Sequence, residues 1–121
     1  MSYDLFVWDP PRAATDDDVT ARYERAAEGE PDDDDEAAGE SARVDAFEAE
    51  LATRYGHLDR LSEADADASP WSGGWERGDR WMSFTIRFSR ADEMFGYITA
   101  LASRHGIVCY DPQTPRVLRP A

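Results

Sequence analysis

Polar and apolar positions alternate most strictly between Trp81 and Phe88. Met82, Phe84, Ile86 and Phe88 interleave with Trp81, Ser83, Thr85 and Arg87. A period of two sends successive side chains to opposite faces, so this segment predicts a strand with one buried and one half-wet face. The less regular stretch from Trp71 to Arg77 is its expected hairpin partner at a sheet edge, with Gly78-Asp79 as the turn. Tyr3 to Asp9 also reads as a strand. Tyr3, Leu5 and Val7 lie toward one side and Phe6 and Trp8 toward the other. Apolar residues on both faces predict a central strand, and Pro10-Pro11 ends it because proline cannot donate to a ladder. Ile107 to Tyr110 is a further strand, followed by a turn over Asp111-Pro112-Gln113-Thr114-Pro115 and a short last strand at Arg116 to Leu118.

Three segments carry helical signals. Thr15-Asp16-Asp17-Asp18 is a start: Thr15 caps, Asp18 holds the box position, and three carboxylates meet the positive end of the helix dipole. Val19, Tyr23 and Ala26 form a thin apolar stripe, and Gly29 is the expected stop. Ser41 opens a second helix, with Val44, Phe47, Leu51 and Tyr55 on one face and Gly56 after it. Ser89-Arg90-Ala91-Asp92 opens the third with another capping pattern. Met94, Tyr97, Ile98 and Leu101 face inward, and Gly106 closes it. Between the first two helices, Pro31 is followed by Asp32, Asp33, Asp34 and Asp35. Four consecutive like charges with nothing apolar to pack predict a mobile acidic loop over 28–40. Residues 57–70 read as a polar connection.

The resulting order is strand, helix, helix, strand, strand, helix, strand. With the early helices taken as one crossover this is β-α(α)-β-β-α-β, a single α+β domain over 1–121 of the ferredoxin-like kind. Its expected form is an antiparallel sheet with helices on one face. Right-handed crossovers put the first and last strands side by side or near the centre and leave Phe6, Trp8 and Trp81 on an open face.

Charge narrows the partner. The 121-residue chain carries a formal net charge of −13, and all 13 of its cations are arginine. Residues 1–70 hold 21 acids against 6 arginines; residues 71–121 hold 5 against 7. A surface of this sign repels phosphates and anionic lipid, which argues against nucleic acid and membrane partners, and it speeds encounter with basic proteins. Salt adaptation or a G+C-rich genome explains the same composition without a partner. The opening MSYDLFVWDPP lacks the basic start and long apolar run of a signal peptide, so a cytoplasmic location is expected. A lone cysteine, Cys109, excludes an internal disulfide and is expected in the core.

Few residues suggest chemistry. Trp71, Trp75 and Trp81 fall within eleven residues with Arg77 and Arg80 among them, and Trp8 can join them across the sheet. Tryptophan and arginine are enriched in binding hot spots; the alternative is that they pack inside. His57 and His105 each adjoin a glycine at a helix end, where a cation belongs, so a two-histidine metal site is not expected. Asp9 and Asp111 end the central strands, each before a proline. They form an acid-base couple or ordinary strand-to-turn residues. No nucleophile, phosphate loop or spaced calcium loop accompanies them, and no cofactor is expected.

YDLFVW at 3–8, SRADEM at 89–94 and HGIVCYDPQ at 105–113 resemble a family of small, mostly uncharacterised bacterial proteins. These begin with a YDLxVW-like strand and finish with a G-[IL]-V-C-[YF]-D-P-Q strand and turn. The resemblance implies no catalytic residues. In size, charge and class the chain is also similar to immunity proteins that block basic toxin domains, an analogy rather than a motif. A non-enzymatic acidic binding protein for a basic partner is the expectation. Asp32, Asp33, Asp34 and Asp35 steer the encounter, while Trp8, Trp71, Trp75, Arg77 and Trp81 supply the contact. The alternative is a small-ligand or regulatory domain, with a homodimer possible through the open sheet face.

Overall fold

A computed structural model describes residues 2–120, with Asp59 described by its backbone only. The chain is α+β. Five strands form one antiparallel sheet: β1 (Ser2–Trp8), β2 (Trp71–Arg77), β3 (Trp81–Arg87), β4 (Val108–Asp111) and β5 (Arg116–Leu118), in the order β2-β3-β1-β4-β5. β1 is central, as its two apolar faces require. It pairs with β3 from Ser2↔Arg87 to Trp8↔Trp81 and with β4 from Phe6↔Tyr110 to Trp8↔Val108.

The helices are α1 (Asp16–Ala27), α2 (Asp33–Ala38), α3 (Ala42–Arg54), α4 (Glu63–Ala68) and α5 (Ala91–Arg104). α1 begins as its sequence predicts: Thr15 Oγ1 accepts from Asp18 N–H, and the Asp18 carboxylate accepts from Thr15 N–H. Those bonds hold the Asp18 carboxyl below its usual range. Ser41 caps α3 through Val44 N–H. The capping pattern expected at Ser89 does not form. Phe88–Arg90 make a 3-10 turn instead, and Arg90 stands at the α5 N-cap without a side-chain capping bond.

Two hydrophobic layers enclose the sheet. On one face Leu5, Val7, Met82, Phe84 and Ile86 meet Val44, Phe47 and Leu51 of α3 and Met94, Ile98 and Leu101 of α5. On the other, Phe6, Trp8, Val108 and Tyr110 meet Val19 and Ala26 of α1, with Tyr23 and Trp81 against them. This corrects the expectation of helices on one face. Phe6, Trp8 and Trp81 do share a face, but α1 lies across it, so no open sheet face is left for a dimer. The stripe of α1 was thin because it has only this smaller layer to fill.

β2 is an edge strand with a bulge. Trp71 pairs with Ile86 and Gly74 with Thr85, so four residues of β2 span two of β3. Gly74, at φ 76°, supplies the left-handed residue that the compression needs. The tryptophans are thereby brought edge to face at 5.3 Å, and Trp71 stacks on Phe84 at 5.8 Å.

Candidate functional site

The aspartate run folds inward. Residues 33–38 form α2 rather than a loop, and Asp32 caps it by accepting from the N–H groups of Asp34 and Asp35. α2 has only alanines for apolar side chains, and its one buried residue is Asp35, 4% exposed. Asp35 accepts from Arg22 Nε at 2.8 Å, while Trp8 Nε1 lies 3.2 Å from both of its oxygens. Asp32 pairs with Arg25, and Arg22 Nε stands 3.8 Å away. Burial works against the Asp32 charge, but the bonds from Arg25 and Asp35 N–H and the field of Arg22 prevail and hold its carboxyl below the usual range. Asp35 and Asp32 are therefore internal ligands of arginines. Of the four aspartates only Asp33 and Asp34 are exposed, and Asp34 already pairs with Arg12.

Three of the four tryptophans are also internal. Trp71 is fully buried, and Trp8 and Trp75 nearly so. Each satisfies its indole N–H: Trp71 on Gly56 carbonyl at 2.9 Å, Trp75 on Glu48 at 3.0 Å, Trp8 on Asp35. Side chains so enclosed offer a partner no more than an edge, which corrects their expected role as contact anchors. Arg77 spans Asp45 and Glu48 of α3, clamping the edge strand to the helix, so it too is engaged internally. Trp81 alone stands partly exposed, at the wall of a cleft.

The remaining candidates are structural. Asp9 accepts from Ser41 Oγ at 2.7 Å and Arg80 Nη2 at 3.1 Å, joining β1 to the α3 cap and the β2–β3 turn. Asp111 accepts from Tyr3 Oη at 2.8 Å and Gln113 N–H at 3.0 Å. Gln113 in turn bonds the main chain of Asp4 in both directions, at 2.7 and 2.8 Å. The YD start and DPQ turn thus fasten to each other. Burial, then the bond to Asp111, push the Tyr3 phenol upward. Asp9 and Asp111 are occupied at two separate junctions. His57 lies 3.0 Å from Trp75 carbonyl and His105 3.0 Å from Glu50. Burial, and behind it Asp111, push the Cys109 thiol up to about 12, which leaves it unreactive.

Sequence reasoning missed Arg22. It is 3% exposed, although it lies among polar residues of α1. A signal existed: Val19, Arg22 and Ala26 recur at i, i+3 and i+7, which places the arginine on the inward stripe. A charge there needs a carboxylate, and the nearby run supplies one. Among the described residues no group of three or more His, Cys, Asp or Glu side chains is arranged to hold a metal, and no helix is long and apolar enough to cross a membrane. The chain matches no protein-family model, no curated protein and no solved structure.

Proposed function

We propose that the chain is a non-enzymatic binding protein whose acidic side docks a basic protein, in the manner of an immunity protein against a toxin domain. One observation carries this reading. Asp17, Glu24, Glu28, Glu30, Asp33 and Glu36, all on or beside α1 and α2, are exposed and enter no ion pair among the described residues. These outward-facing acids are distinct from Asp32 and Asp35, which build the fold. They enter no ion pair of the fold, and a dense patch of one sign is what steers an oppositely charged partner. The frame we assign is the ferredoxin-like split unit, supported by the antiparallel order β2-β3-β1-β4 and extended by β5 and by α1 on the second face. The role implies a cytoplasmic site of action.

Association with immobilised decaarginine tests the charge. The rate should fall steeply as salt rises, and replacing Asp17, Asp33 and Glu36 with their amides should slow association more than it speeds dissociation. Binding that ignores both salt and these substitutions would refute the reading. A toxin-like reading frame beside this one, whose product is neutralised on co-expression, would name the partner.

A second reading, a small-ligand or regulatory domain, draws on a groove of about 470 Å³ lined by Glu48, His57, Arg60 and Trp75. A thermal-shift screen against metabolites discriminates, since a robust shift favours the groove.

A further inference from the structure

Between the end of α1, the start of α2 and the β2–β3 turn lies a cleft of about 360 Å³. Four exposed carboxylates stand around it: Glu30, Glu36, Glu76 and Asp79. Arg22 and Trp81 also line it. The Arg22 guanidinium lies 5.7 Å from the centre of the Trp81 ring. Its Nε is taken by Asp35. Its Nη1 is buried without an acceptor, the one such side-chain atom among the described residues. Carboxylates around an opening are ordinary surface. A buried, unmatched donor is not, because a hydrogen-bonding group withdrawn from water is costly to leave unsatisfied.

We propose that the cleft receives one basic residue of a partner chain, arginine or lysine. Its cationic head lies among the four carboxylates, and a small shift of the cleft wall uncovers Arg22 Nη1, which then donates to a peptide carbonyl oxygen beside that head. This rests on the reading of the chain as a binder of basic proteins and specifies where it grips. The acceptor has to be neutral: Asp35 already balances Arg22, and a carboxylate or phosphate would enter a ring of like charge. The same ligand has to carry a cation, since a neutral one leaves the carboxylates partly desolvated with nothing opposite. A simple polyamine meets the carboxylates but has no acceptor for the N–H. The volume is near the lower end of small-ligand sites, roughly 300–1,000 Å³, so a single residue fits rather than a longer segment.

N-acetylarginine amide and agmatine separate these requirements. The first has one cation and two carbonyls; the second has two cations and none. Titrated into the intact chain, the amide should bind about tenfold tighter than agmatine despite its lower charge and should shift the Trp81 indole N–H resonance. The double variant Glu76→Gln/Asp79→Asn, at two exposed positions, should weaken the amide by about tenfold or more. Agmatine binding as well as the amide would overturn the proposal, as would an affinity untouched by the double variant. Decaarginine distinguishes the two levels. If it binds in a salt-dependent way while the amide does not, the cleft is wrong and the acidic docking surface stands. If neither binds, both fall.

Discussion

The Arg22–Asp35 pair shows how much one buried contact can settle. Two charges withdrawn from water cost several kcal/mol each, and their attraction returns that only when geometry and hydrogen bonds are good. Here Asp35 receives Arg22 Nε and the Trp8 indole N–H together, and Arg22 keeps its buried Nη1 unmatched. The pair is better understood as a specifier of position than as a source of net stability. Removing one partner differs from removing both. Asp35→Asn keeps an acceptor for Trp8 but strands the arginine charge, so it should lower unfolding free energy by about 3–5 kcal/mol. The double change Arg22→Met with Asp35→Leu should cost less than Asp35→Asn alone. Urea denaturation of the three proteins checks the order.

α2 is the element most dependent on charge. It has no apolar anchor, so it stays only while Asp32 is ionised against Arg25 and the Asp35–Arg22 contact holds. The folded pKa of Asp32 lies below the ordinary 3.8. A depressed carboxyl contributes stability that is fully present above its unfolded value and lost as pH falls through the folded one. Acidification below about pH 4 should therefore release residues 30–39 while α3, α5 and the sheet persist, seen as early loss of amide protection confined to that segment. A single transition across all amides would refute the idea. α2 and α4 also mark what was hidden in the sequence. Both are six residues long, and neither carries an apolar stripe, so there was no periodicity to read. β1, β3, α3 and α5 were plain because each buries a regular face. The hairpin turn at Gly78 was plain too, and an added Cβ there would stand 2.0 Å from Trp81 Nε1. The tryptophan cluster misled because aromatic density looks the same in a core as in an interface; Arg22 was missed because an arginine on a thin apolar stripe looks like surface until a carboxylate is set against it.

At the scale of the molecule, a net charge of −13 sits on a surface of 6657 Å². Like charges so close repel one another and destabilise the compact state. Salt screens them over about 10 Å at 0.1 M, whereas the enclosed arginine–aspartate pairs are screened less. Added sodium chloride should raise the melting temperature, by roughly 3–6 °C per kcal/mol of repulsion relieved. A scanning calorimetry series in salt checks this. A falling curve would mean that exposed pairs such as Arg119–Asp16 outweigh the net repulsion.

The two rims of the sheet have a consequence of another kind. β2 is interrupted where Trp71 and Trp75 crowd together, and β5 is only three residues long. Broken or truncated margins give an incoming strand no continuous row of amides to copy. Stacking of molecules into fibrils is thereby discouraged at both ends, independently of the mutual repulsion that keeps them apart.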